Sequence, residues 1–97
     1  MDKYYLDFTG VKKYGDLHGE LKRGLEFPDF YGENLDALWD CLTGFMDAPA
    51  NIYVKGVEQL PEDLKSEWND VLRIFNRAKE WYAKYNEDFV LIFEDER

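Results

Sequence analysis

Asp36 and Asp40 stand four residues apart in "YGENLDALWDCLTG", residues 31–44. On a helix this spacing puts both carboxylates on one side, one turn apart. Carboxylates so placed have three chemical uses. They can work as a general acid and base, hold a divalent cation, or accept charge-assisted hydrogen bonds from guanidinium and imidazolium groups of another protein. Glu33 is the one further acid near enough to join the first two. The chain has no His-Glu metal signature, no glycine loop for phosphate and no nucleophile elbow. Exposed carboxylates without a water-excluding pocket keep ordinary acidity and catalyse little. The pair therefore points away from catalysis and toward recognition, with a divalent ion at Glu33, Asp36 and Asp40 as the enzymatic alternative.

The pair also carries a penalty. Like charges at this spacing repel by roughly 0.2–0.5 kcal/mol. Asp40, read as lying near the helix C-terminus, would meet the negative dipole end at a further ~0.3–1 kcal/mol. A helix keeping this strain is expected to recover it by meeting positive charge elsewhere.

Charge strengthens that expectation. The chain carries 21 acidic residues against 12 basic ones, a formal charge of −9. No Lys or Arg occurs between Arg23 and Lys55, while Glu26, Asp29, Glu33, Asp36, Asp40 and Asp47 fall inside that interval. Such a balance argues against nucleic acid and against anionic membranes, since both need cationic contacts, and it favours a basic protein partner. An ordinary solvated acidic face is the plainer reading of the same run.

Around the carboxylates lie aromatic residues. Trp39 falls between the apolar and acidic sides of the helix, so it reads either as core or as an interface anchor. "FYG" (Phe30, Tyr31, Gly32) precedes the helix, and Phe45 and Met46 follow it, as exposed candidates. Cys41, the one cysteine, excludes an internal disulfide and a cysteine zinc site, and reads as a small packed hydrophobe. His18 has no partner at metal-ligand spacing and reads as a surface or satisfied helix residue. Trp68 and Trp81 read as core or core edge.

The elements that must position these residues follow from periodicity. Residues 3–9 alternate as a strand with Tyr4, Leu6 and Phe8 on one side. Leu17, Leu21 and Leu25 predict a helix over 16–26, which Gly19 and Gly24 weaken and Pro28 closes. In the second helix Asn34 is the N-cap, Gly44 the stop, and Leu35, Leu38 and Leu42 the core side. Residues 51–55 predict a second strand. Pro61 opens the longest helix, which runs to about Tyr82 on Leu64, Trp68, Val71, Leu72, Phe75 and Ala78. Residues 88–94, "DFVLIFE", predict a last strand buried on both faces. Strands separated by helices imply an α/β fold, a three-stranded parallel sheet packed with helices. The 97 residues suit one domain, 1–97, and by default a monomer. The N-terminus lacks a basic-then-apolar leader and no apolar run is long enough for a bilayer, so the expected location is cytoplasmic.

"FYGENLDALWDCLTG" resembles the barstar family, small inhibitors of secreted bacterial ribonucleases of the barnase type. "DLHGELKRGL", Ala48-Pro49 and "VLRIFNRAKE" extend the likeness more loosely over nearly the whole chain. The resemblance implies the same three-stranded fold, no cofactor, and a helix and preceding loop pressed into a ribonuclease cleft. By position, Asp40 would take the place of an RNA phosphate and Asp36 would meet further basic groups. Phe30 would cover the catalytic histidine region, with Tyr31, Gly32, Asn34, Leu35, Trp39, Thr43, Gly44 and Phe45 shaping the contact. Three residues depart from the pattern: Phe30 stands where the best-known member has tyrosine, Phe45 replaces a tryptophan, and Arg77 aligns with an acidic contact residue, with Glu80 one turn on. The reversed charge at Arg77 implies a different cognate enzyme. The competing reading is an acidic interaction module, or an immunity protein, for some other basic toxin.

Overall fold

In the structure, a computed structural model, residues 2–94 are described. The elements are β1 (Asp2–Asp7), α1 (Tyr14–Gly24), α2 (Leu35–Gly44), β2 (Ala50–Lys55), a 3₁₀ turn (Val57–Gln59), α3 (Glu62–Ala83) and β3 (Phe89–Phe93). All three strands are parallel, in the order β1-β2-β3. This is the α/β architecture that strand–helix alternation implies.

Alternation decides which side of the sheet is covered. Tyr4, Ile52 and Leu91 are in register across the strands, and so are Leu6, Val54 and Phe93. Leu6, Ile52 and Val54 are buried on the helix side. The odd-parity side carries Tyr5 and Tyr53, whose rings stack at 5.2 Å, and Tyr5 remains exposed. The expectation that residues 88–94 are buried on both faces is corrected here. The strand order leaves β3 at the edge; Phe89 is buried, Val90 to Ile92 are half-buried and Phe93 is exposed. Apolar composition shows that a strand contacts the core but does not distinguish an edge from a centre.

The helices seat on this sheet through the predicted stripes. Leu17, Leu21 and Leu25 of α1 and its C-cap are buried, as are Leu64, Trp68, Val71, Phe75 and Ala78 of α3. Trp68 packs its ring 5.1 Å from Phe8, and Phe89 lies 5.1 Å from Tyr82. Each buried Leu, Val or Phe side chain contributes roughly 1.5–3 kcal/mol by leaving water.

The first helix starts and ends two residues earlier than its stripe suggests. Asp16 sits in its first turn, where its charge suits the positive dipole end, and Glu26 adopts a left-handed φ of 58° that stops the helix before Pro28 is reached. Gly24 is a packing residue as well as a helix weakener, since a Cβ there would lie 2.5 Å from Leu6 Cδ2 and from the Tyr5 carbonyl oxygen. The first strand gives way at Asp7, whose Oδ1 accepts the Thr9 N–H at 3.0 Å. The Ala48–Pro49 peptide bond before β2 is cis.

Gly56, after β2, has φ +83°, and a Cβ there would meet Thr9 N at 2.5 Å. Both the dihedral and the close approach require glycine. Gly56→Ala is expected to lower the unfolding free energy by about 1–3 kcal/mol, read as a lower urea midpoint with unchanged m-value.

Candidate functional site

α2 is an amphipathic helix fixed at both ends. At its start, Asn34 has extended backbone and its Oδ1 accepts the Ala37 N–H at 2.8 Å, while its Nδ2 donates to the Gly32 carbonyl at 3.2 Å. At its finish, Gly44 is the last helical residue and Phe45 the C-cap, one residue beyond the predicted stop. The Phe45 and Met46 N–H groups both donate to the Cys41 carbonyl. The Tyr82 hydroxyl of α3 donates to the Leu42 carbonyl at 2.6 Å, with the Met46 carbonyl 3.0 Å away. Leu38 and Leu42 are fully buried, whereas Leu35 is half-buried.

Seated in this way, α2 turns Asp36 and Asp40 outward, and both are exposed. Neither forms an ion pair or a side-chain hydrogen bond among the described residues. No basic residue lies in the last turn of α2. The reading of Asp40 as a helix-end residue is corrected, since it occupies the sixth of ten positions in the helix. The dipole penalty fades beyond the last turn, which leaves the repulsion between the pair as the main local cost.

The loop before α2 is built around one buried ring. Tyr31 is only 5 % exposed, so it faces the core and not the outside. Its hydroxyl is 2.7 Å from His18 Nδ1, and His18 Nε2 is 3.3 Å from Glu67 Oε2. A carboxylate only accepts, so in the neutral imidazole Nε2 carries the hydrogen and Nδ1 accepts from Tyr31. Tyr31 also packs 4.9 Å from Phe27, and Tyr14 donates its hydroxyl hydrogen to the Glu33 carbonyl at 3.2 Å. Glu33 itself takes φ 55°. The chain is thereby closed on the inside while Phe30, 82 % exposed, projects from the turn.

The other site residues divide the same way. Gly32, Asn34 and Gly44 are exposed, Thr43 and Trp39 are half-buried, and Phe45 is exposed beside a buried Met46, which leaves the outward patch. Thr43 spends its hydroxyl on the Trp39 carbonyl at 2.8 Å. Trp39 lies at the seam with α3, where the Arg77 guanidinium sits over its ring, 4.6 Å from the centroid. The supports, buried His18 and Tyr82 and half-buried Glu67, were not among the predicted site residues. His18 had a signal: it shares the stripe of Leu21 and Leu25 at spacings of three and four.

Burial shapes the titration of the supports. It pushes the Tyr31 phenol well above the ordinary tyrosine range, and it raises Tyr82 and Tyr14. The Cys41 thiol is raised by burial and then by the Asp40 charge, so it stays protonated and unreactive. Glu33, Asp36 and Asp40 are not gathered for metal binding, and among the described residues no group of three or more His, Cys, Asp or Glu could hold an ion. No helix among them is long and apolar enough to cross a membrane.

Comparison with known proteins identifies the family of the chain. Residues 1–94 match the family described as "Barstar (barnase inhibitor)". A Bacillus subtilis (strain 168) protein named "Putative ribonuclease inhibitor YrdF" is 40% identical over 94 residues, which are 97% of this chain and all of that relative. The fold and the likeness place the chain in the ribonuclease-inhibitor class, not among enzymes. It belongs to the barstar family.

Tyr31→Phe strands the buried His18 Nδ1, and is expected to cost about 1–3 kcal/mol in urea unfolding with the fold retained. In the wild-type protein, unfolded tyrosines release protons near pH 10 while folded Tyr31 and Tyr82 hold theirs. The unfolded state then binds fewer protons, so stability should hold below about pH 10 and fall above it. Urea titrations at stepped pH should show a shallower fall for Tyr31→Phe.

Proposed function

We propose that this chain acts as one barstar-like domain and a monomer when free, blocking the active site of a basic, secreted ribonuclease of the barnase type from within the cytoplasm of the producing cell. α2 and the loop before it enter the cleft. Asp40 occupies the place of an RNA phosphate and accepts charge-assisted hydrogen bonds from cleft guanidinium and imidazolium groups. Asp36 meets further basic groups. Phe30, Gly32, Asn34, Leu35, Trp39, Thr43, Gly44 and Phe45 form the surrounding contact, and Arg77 lies at its margin. Tyr31 acts from beneath, holding the loop that carries Phe30. No cofactor takes part, and inhibition is reversible occlusion.

The observation that carries this reading is that Asp36 and Asp40 are exposed on a rigidly held helix without a counter-ion among the described residues. A partner that brings positive charge gains the full attraction and breaks no existing pair. The −9 charge steers such a partner to the face before contact.

The test is to mix the protein with a barnase-type ribonuclease and follow RNA cleavage. Asp40→Ala should weaken inhibition by at least about 2 kcal/mol, roughly thirtyfold in Ki, while circular dichroism and the urea midpoint stay unchanged. The association rate should fall as salt rises past ~0.15 M, where charges beyond ~8 Å are screened. Undiminished inhibition by the alanine variant rejects phosphate mimicry.

A further inference from the structure

Beside the acidic face, in the seam between α2 and α3, lies a hollow of about 280 Å³ lined by Trp39, Arg77, Glu80, Trp81 and Lys84. Its charge is opposite to that of its surroundings. Two cations line it against one carboxylate, in a chain of net −9. The geometry points to this hollow as a receptor for an aspartate or glutamate side chain of the partner ribonuclease, with Arg77 as the residue that binds it. The inference rests on the reading of the acidic face as a ribonuclease-docking surface.

Arg77 is set up for that task in three ways. Its guanidinium lies over the Trp39 ring at 4.6 Å, an attraction to the π-face that is not itself a hydrogen bond to an acceptor. Its N–H donors make no hydrogen bond or ion pair among the described residues, and Glu80, one helical step away, is not within ion-pair distance. By contrast, Arg23 and Arg73 are each paired with a carboxylate three residues earlier. A planar fork held against an aromatic ring loses less freedom on binding than a mobile side chain, so a carboxylate can be taken in bidentate fashion at a lower entropic cost. Lys84 adds a second positive charge at the rim.

Placement makes the residue discriminating. Trp39 immediately precedes Asp40 on α2, so the cation over its ring lies at the edge of the helix that carries the negative stripe. A partner must therefore offer positive charge to α2 and, next to it, negative charge to the seam. A uniformly basic cleft would press a Lys or Arg against Arg77 and be rejected.

The test uses the full chain and the barnase-type ribonuclease that it inhibits most strongly among several. Ki is measured for Arg77→Ala, Arg77→Lys and Arg77→Glu, alone and against enzymes in which each aspartate or glutamate around the cleft is changed singly to its amide. We expect Arg77→Ala to weaken inhibition at least about tenfold, Arg77→Lys to recover part of the loss and Arg77→Glu to lose more than alanine does. One amide change should be coupled to Arg77→Ala by about tenfold or more, a readout that a merely structural arginine would leave at unity. Inhibition by Arg77→Glu that equals or exceeds wild type, or the absence of any coupled carboxylate, overturns the inference; if Asp40→Ala still weakens inhibition roughly thirtyfold, the docking face itself stands. A wild-type chain that inhibits none of the enzymes removes the docking reading, and the inference falls with it.

Discussion

A protein that displays two carboxylates one turn apart, with no cation paired to them among the described residues, must hold that surface in place by forces that lie elsewhere. Repulsion between Asp36 and Asp40 is worth roughly 0.2–0.5 kcal/mol. Burial of Leu38 and Leu42 on the opposite side of α2 contributes roughly 1.5–3 kcal/mol each, so the seating of the helix wins by a wide margin. The Asn34 cap and the Tyr82 hydroxyl then fix its two ends. Because the inner face decides where α2 lies, the outer face is free of structural duty and its charges can be chosen for what they meet outside.

The same division runs through the loop before α2. Phe30 is almost fully exposed, and Tyr31 next to it is buried with its hydroxyl on His18. Adjacent residues on opposite sides of a turn form a lever: whatever immobilises Tyr31 also immobilises Phe30. An exposed aromatic on a mobile loop would lose its freedom on docking, whereas one braced by the buried Tyr31–His18 pair and half-buried Glu67 has already lost it in the folded state. The left-handed dihedrals at Glu26 and Glu33, which bound this segment, belong to the same bracing.

Much of the fold was legible in the sequence because the dominant signals are one-dimensional. Alternation in β1, the leucine stripe of α1 and the run of α3 each report burial residue by residue. What they do not report is arrangement among elements. "FVLIF" reads as a central strand until the order β1-β2-β3 puts it at the edge. Tyr31 and Met46 read as outward because the loop path, not the local pattern, turns them in. Gly24 reads as a helix weakness until β1 is found against it. The outward direction of Asp36 and Asp40 could be read from helical period alone. The contact proposed for them came from resemblance, since periodicity places a charge on a surface but does not name what will touch it.

Attraction by a surplus of negative charge is indiscriminate, and that limits what the acidic face can do alone. A field of this sign raises the encounter rate with any basic protein, and in the cell there are many. Selectivity has to come from contacts that are short-ranged and can be wrong: the shape of Phe30 and Phe45 against a partner, and a cation where the field predicts an acid. Arg77 is effective because it opposes its surroundings. A partner lacking a complementary carboxylate must desolvate a guanidinium without compensation or set a like charge beside it, and either is costly at close range. Long-range steering and short-range rejection therefore act through residues of opposite sign on one face, with the guanidinium held over the Trp39 ring and not paired with a carboxylate among the described residues.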